Sequence, residues 1–189
     1  MKKNKLSEMT LEELWELFPV FLVEHNDKWI DDYKEIESEL KNLLSEYVSP
    51  RISHIGSTAI HDIWSKNIID VLVEIPMNED MKTVTDVIEK SGFILMSAEP
   101  KRVSFNKGYT IDGFADKVYH IHLRYIGDND ELYFRDYLNE YPKVAKEYEN
   151  LKLSLWKKYE HDRDAYTNSK TEFVQYWTKE ARKKYGSRY

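Results

Sequence analysis

The run Ile68-Ile69-Asp70-Val71-Leu72-Val73-Glu74-Ile75 constrains the fold more than any other segment. It is rich in β-branched residues and nearly unbroken in apolarity, the pattern of a central strand. A central strand needs neighbours, and residues 51–55, 93–97, 102–107 and 117–126 read as four further strands. Residues 108–113 read as a turn or loop between the last two. Alternation along the central strand puts Asp70, Leu72 and Glu74 on one face. Ile69, Val71, Val73 and Ile75 point the other way. A lone buried carboxylate is expensive unless it is paired or binds a metal. Asp70 therefore has either a structural partner, such as an N-cap or an ion pair with Lys66, or a place in a functional site.

Helical signals flank this sheet. Thr10 and Glu13 form a capping box for a helix that ends before Pro19. Asn26 or Asp27 caps a long helix whose Trp29, Tyr33, Ile36, Leu40, Leu43 and Tyr47 form one apolar stripe, closed by Ser49-Pro50. Residues 79–90 read as a helix with Gly92 at its C-cap. After Gly127-Asp128-Asn129-Asp130 only helical patterns follow. Pro142 separates the first from the second, whose Val144, Tyr148, Leu151, Leu155 and Tyr159 share a face. Residues 161–164 read as a break, and Thr167 or Asn168 starts the last helix. Tyr133, Phe134, Tyr137 and Tyr141 read as helix packing rather than a base-stacking platform. The fold class is α+β in one domain over 1–189: N-terminal helices over 1–50, a sheet core over 51–127 and C-terminal helices over 130–185.

Composition narrows the partners. The balance of 28 basic against 34 acidic residues excludes a generic nucleic-acid binder. The chain has no cysteine, which excludes a disulfide scaffold and thiolate metal sites and fits a reducing compartment. No apolar run is long enough to span a membrane. The basic start, Met1-Lys2-Lys3-Asn4-Lys5, is followed by Glu8, Glu12, Glu13 and Glu16 rather than a signal-peptide core. A cytoplasmic protein is expected.

Two clusters carry chemistry. His54-Ile55-Gly56-Ser57-Thr58-Ala59-Ile60 reads as a strand, a Gly-Ser turn with free N–H groups and a helix start, which together make a concave anion site. His120 and His122 are two apart in a strand, so both project from one face about 6.6 Å apart. They converge on one ion if further ligands are supplied, and Asp70 and His54 are the natural ones. Otherwise they are half-buried histidines bonded to backbone carbonyls. The chain lacks the P-loop pattern ending in Gly-Lys-Ser/Thr, so a P-loop kinase is excluded.

The Gly-Ser turn and strand aspartate resemble the signature of the nucleotidyltransferase superfamily, the polymerase-β-like fold. Within it the chain resembles the GrpB family. The resemblance rests on 54–60, Lys66, Ile69-Asp70-Val71-Leu72-Val73, His120-Ile121-His122-Leu123, Phe134-Arg135-Asp136-Tyr137-Leu138 and the set Tyr166, Lys170, Phe173, Val174. It runs from Trp29 to Ala181. It implies metal-dependent transfer of a nucleoside monophosphate from a nucleoside triphosphate to an acceptor that it does not name. Asp70, Lys66 and His122 would be catalytic, and Mg²⁺ or Mn²⁺ would sit on Asp70, His120 and His122. Gly56, Ser57, Thr58, Arg135, Tyr166 and Lys170 would bind the nucleotide. Lys152 and Arg163 also match positions where the family keeps basic residues. Tyr166 and Lys170, at i and i+4, share a face if one helix holds both.

One departure bears on the reaction. The superfamily strand reads acid-x-acid, and here the second acid is Leu72. Glu74 lies about 13 Å along the strand from Asp70, too far to share a metal. A two-metal clamp needs ions about 3.5–4 Å apart. The alternative is a module of the same fold, degenerate in its carboxylates, that binds a nucleotide or another phosphorylated small molecule without catalysis.

Overall fold

The computed structural model describes residues 5–189, and the basic start at residues 1–4 lies outside the described residues. The elements in chain order are α1 (Leu11–Leu17), α2 (Lys28–Leu44), β1 (Arg51–Ile55), β2 (Ile69–Ile75), α3 (Met81–Lys90), β3 (Ile94–Glu99), β4 (Arg102–Thr110), β5 (Gly113–Tyr125), α4 (Asp130–Glu140), α5 (Pro142–Lys158), α6 (Arg163–Asn168) and α7 (Thr171–Tyr185). The capping box forms: Thr10 Oγ1 accepts from the Glu13 N–H at 3.2 Å, and the Glu13 carboxylate accepts from the Thr10 N–H at 2.8 Å. Among the described residues no helix is long and apolar enough to cross a membrane.

The five strands lie in the order β1-β2-β5-β4-β3. β2 and β5 run parallel, and every other pair is antiparallel. One face is the core. Ile69, Val71, Val73 and Ile75 of β2 pack there with Phe105, Ile121 and Leu123, under Trp29, Ile36, Leu40 and Leu44 of α2 and Val84 and Ile88 of α3. Fully burying each such side chain contributes about 1.5–3 kcal/mol.

The other face is ordered in cross-strand rows. Ile55, Asp70, His120 and Asn106 form the first; Ser53, Leu72, His122 and Ser104 the second; Arg51, Glu74, Arg124 and Arg102 the third. In the third row Glu74 and Arg124 are buried. Glu74 is fully buried and accepts both arms of Arg51 at 2.6 and 2.7 Å, the Asn129 amide at 3.0 Å and the Gly127 N–H at 3.3 Å.

The structure departs from the sequence pattern in three places. α2 stops at Leu44, so Tyr47 leaves the stripe and is exposed, while Val48 takes a core position. β4 and β5 run on through the expected loop, because the chain bulges at Gly108. A Cβ on Gly108 would meet the Lys117 carbonyl oxygen at 2.2 Å, and its φ is +90°. Glycine inside a strand marks such a bulge and close approach. The expected break at 161–164 holds instead the start of α6, where the Asp162 carboxylate caps the Ala165 N–H at 2.9 Å, and the last helix begins later, at Thr171.

Replacing Arg51 by alanine leaves the buried Glu74 carboxylate without its bidentate partner. The expected cost is about 3 kcal/mol, read as a lower midpoint in urea with an unchanged slope.

Candidate functional site

Antiparallel pairing of Ile55 with Asp70 brings the Gly-Ser turn onto the strand aspartate. Gly56 has φ 72° and ψ −172°, a conformation essentially reserved for glycine. A Cβ there would lie 2.3 Å from Asp70 Oδ2. Turn and carboxylate are therefore in contact because residue 56 has no side chain. Ser57–Ala59 form a single 3₁₀ turn, not the start of a longer helix. Thr58 is buried, and its hydroxyl donates to the Ile68 carbonyl at 3.3 Å, which closes the loop onto β2.

Asp70 is held by both histidines. Its Oδ1 lies 3.2 Å from His120 Nδ1 and 3.4 Å from His122 Nε2. Burial opposes its charge, but the two imidazoles hold the carboxyl well below the usual carboxylate range. The network continues outward: Tyr109 Oη lies 2.8 Å from His120 Nε2 and accepts from Arg163 Nη2 at 2.9 Å. The guanidinium only donates, so the tyrosine proton is free to point at Nε2. Nε2 then accepts, and Nδ1–H donates to Asp70. This assigns a neutral His120, consistent with burial lowering its pKa against the pull of Asp70.

Two lysines reach the cleft, Lys66 from the loop before β2 and Lys170 from the turn before α7. Lys66 and Lys170 lie over one ring, with Nζ 5.9 and 4.1 Å from the Tyr166 centroid. Among the described residues neither ammonium has a hydrogen bond or ion pair. Burial lowers Lys170 to about 7, helped by Lys66 and opposed by Asp70. Burial lowers Lys66 to about 8, helped by Arg163 and opposed by Asp70. Lys152 is almost fully buried on α5 and donates to the Trp64 carbonyl and, at 3.3 Å, to Ser65 Oγ.

These groups surround a cleft of about 1410 Å³. Gly56, Ser57, Thr58, Asp70 and His120 are at its base, with Lys66, Lys152, Arg163, Tyr166 and Lys170 around them. Leu14, Trp15 and Phe18, from α1 and its end, line an apolar side. The loop carrying Lys66 is stapled in place. Trp64 N–H donates to Glu149 at 2.7 Å, His61 N–H to Asn139 at 2.9 Å, and the Trp29 indole to Asn67 at 2.7 Å.

Three expected placements need correction. Arg135 does not line the cleft. Its guanidinium donates to the His54 carbonyl at 2.8 Å, to Asp136 at 2.8 Å and to Tyr189 Oη at 3.1 Å, tying α4 to β1 and the chain end. His54 is not beside Asp70, because the pleat turns it to the other face, stacked on Tyr33 at 4.8 Å. Tyr166 and Lys170 do not share one helix, since the first is in α6 and the second precedes α7. They meet across the turn between them.

The expected metal set also fails a fit test. Among the described residues no three histidine, aspartate or glutamate side chains are arranged to hold an ion. Asp70, His120 and His122 are gathered, but the imidazoles hydrogen-bond one carboxylate oxygen directly rather than spacing themselves around a cation. Leu72 is fully buried in an apolar contact with Ile55 and Leu132. Glu74 is consumed by Arg51. A Mg²⁺ ion prefers several oxygen ligands in octahedral array, and this face supplies one carboxylate.

Tyr109, Tyr148 and the α1 side chains belong to the cleft without having been singled out as site residues. Tyr109 has a faint signal, a tyrosine directly after a strand glycine. Lys152 has a clearer one, a lysine within the apolar stripe of α5. Nothing local marks α1, because only the folded chain brings it across the sheet.

Comparison with known proteins places this geometry among relatives. A family model described as GrpB protein matches residues 19–180. The chain is 37% identical over 164 residues to the glutamate-rich protein GrpB of Alkalihalophilus pseudofirmus, covering 82% of this chain and 91% of that protein. It is similar to the crystal structure of GrpB from Enterococcus faecalis, with a TM-score of 0.75 and 29% identity over 87% of this chain and 99% of that one. The Cid1 poly(U) polymerase with Mg 3′-dATP bound gives a TM-score of 0.54 at 11% identity, over 84% of this chain and 51% of that one. That last likeness concerns the fold alone, which is the α+β fold of the polymerase-β-like nucleotidyltransferases.

Gly56→Ala is expected to cost about 3 kcal/mol through strain and the displaced Asp70 carboxylate. Chemical denaturation reads the cost, and a change in the histidine NMR titrations reads the displacement.

Proposed function

This chain belongs to the GrpB family, and from that premise we propose that it binds a nucleotide or another phosphorylated small molecule in the cleft, without a two-metal centre. One observation carries the reading. Lys66 and Lys170 face the same ring at the cleft, and neither ammonium has an anionic partner among the described residues. Half-buried cations without an ion pair are costly. A phosphate resting on Lys66 removes part of that cost and restores its charge. The free N–H groups of the Gly56-Ser57 turn add donors of the kind that cradle phosphate. Asp70 also lines the cleft, and the two lysines supply cations that offset its charge towards an anionic ligand. The proposed partner is a small phosphorylated metabolite of the cytoplasm.

A second reading, nucleotidyl transfer with Mg²⁺ or Mn²⁺, is favoured by the ionised Asp70 held against the Gly-Ser turn. Transfer of label from an α-phosphate to an acceptor in a metabolite extract distinguishes it.

A thermal-shift series with the four ribonucleoside triphosphates and pyrophosphate tests the binding reading. Ligand at 100 times its Kd adds about 2.7 kcal/mol, a rise of roughly 5–10 °C for a chain of this size. The rise is expected to persist in EDTA and to vanish in Lys66→Met. A rise that requires metal and is lost in Asp70→Asn supports transfer instead, and no rise with any phosphate overturns both readings.

Binding is also expected to take up protons. Burial lowers Lys66 to about 8 in the free protein, and an anion bound on it favours its charged form. Affinity therefore falls as pH rises from about 8 towards the higher pKa of Lys66 in the complex. Calorimetric titration at pH 8, in buffers of differing ionisation enthalpy, measures the uptake directly.

A further inference from the structure

We propose that Lys170 is a nucleophilic amine, poised to form a Schiff base with the carbonyl of a phosphorylated aldehyde or ketone held in this cleft. The proposal rests on the phosphate-binding reading and names its substrate class. The geometry separates Lys170 from the other lysines. Lys82, Lys117, Lys183 and Lys184 each sit on a carboxylate that holds them as ammonium ions. Lys152 is spent on the Trp64 carbonyl and Ser65. Lys170 lines the cleft with its Nζ on the Tyr166 ring, and no hydrogen bond or ion pair occupies it among the described residues.

A lysine becomes nucleophilic when it is desolvated or set beside another cation. Lys170 meets both conditions, with Lys66 as the neighbouring cation. Burial is the larger cause of its lowered pKa. An anion resting on Lys66 would cancel part of the neighbour's effect and leave the burial in place. The division of labour follows from position. Lys66 stands in the loop between the Gly-Ser turn and β2, where it holds phosphate against the turn. Lys170 Nζ lies closer over the Tyr166 ring, 4.1 Å from its centroid against 5.9 Å for Lys66, so a phosphate on Lys66 and the turn would leave Lys170 to the rest of the ligand.

The step balances without an oxidant or a metal. The Nζ lone pair adds to the carbonyl carbon and the C=O bond opens to a carbinolamine. Both amine hydrogens then leave with the oxygen as water, and a C=N bond remains. The cleft volume of about 1410 Å³ leaves room for a ligand much larger than its phosphate.

Pyridoxal 5′-phosphate serves as the probe, a phosphorylated aldehyde trapped with borohydride at pH 7.5. Peptide mass spectrometry is expected to find the reduced adduct at Lys170 at more than about ten times the level at any surface lysine, whose neutral fraction at that pH is about a thousandth. Excess pyrophosphate should suppress it. Lys170→Arg, which keeps a cation beside Lys66, should lose the adduct. A thermal shift with no adduct at Lys170, or adducts spread evenly over the surface, overturns the amine and leaves phosphate binding standing. Equal labelling of Lys170 by pyridoxal lacking the phosphate, unprotected by pyrophosphate, upholds the amine and overturns the phosphate reading.

Discussion

The contact between the Gly56 backbone and the Asp70 carboxylate is the constraint on which the site depends. It requires β1 and β2 to pair with Ile55 opposite Asp70, and β2 and β5 to pair with Asp70 beside His120. A shift of one residue in either register would turn Asp70 or the histidines to the core face, since side chains alternate with period two. The apolar members of β2 resist that shift. Ile69, Val71, Val73 and Ile75 are all nearly inaccessible, and a slip would exchange them with Asp70, Leu72 and Glu74. Hydrophobic burial on one face thus locates the chemistry on the other.

The open face shows how buried polarity is managed. The Glu74 carboxylate is closed, its oxygens answered by Arg51, Asn129 and Gly127. The loop from Ile60 to Ile68 is closed against α5 through Glu149 and Lys152. Such satisfied networks rigidify a structure and carry no signal of a ligand. The Asp70 row differs. Its carboxylate, two imidazoles and tyrosine are linked to one another, yet among the described residues the lysines near them have no hydrogen bond or ion pair. Cations lodged in a preformed cleft suit electrostatic recognition, because the desolvation cost is met by the fold before any ligand arrives.

How far the sequence reaches can be judged from single residues. The α1 capping box, the central strand, the Asp70 face and the shared face of His120 and His122 were all legible, because each follows from a local period or a local hydrogen bond. The tip of the β4–β5 hairpin was not, since the bulge at Gly108 depends on the opposing Lys117 carbonyl. Arg135 looked like a phosphate clamp and is a tether, because its partners, the His54 carbonyl and Tyr189, lie 81 and 54 residues away. Tyr166 and Lys170 were rightly set close together but on the wrong scaffold, a turn between two helices rather than one helical face.

By itself the sequence determined the α+β class, the strand that must be central and the Gly-Ser turn with its aspartate. Those features are written in alternation, glycine placement and the cost of a charge within an apolar run, all properties of neighbouring residues. The tertiary structure alone decided which cations are free and which are occupied. Lys66, Lys152, Arg135 and Lys170 are equivalent as residue types in the chain. They differ once folded, because a backbone carbonyl from a distant segment reaches Lys152 and Arg135, while among the described residues none reaches the side chains of Lys66 and Lys170.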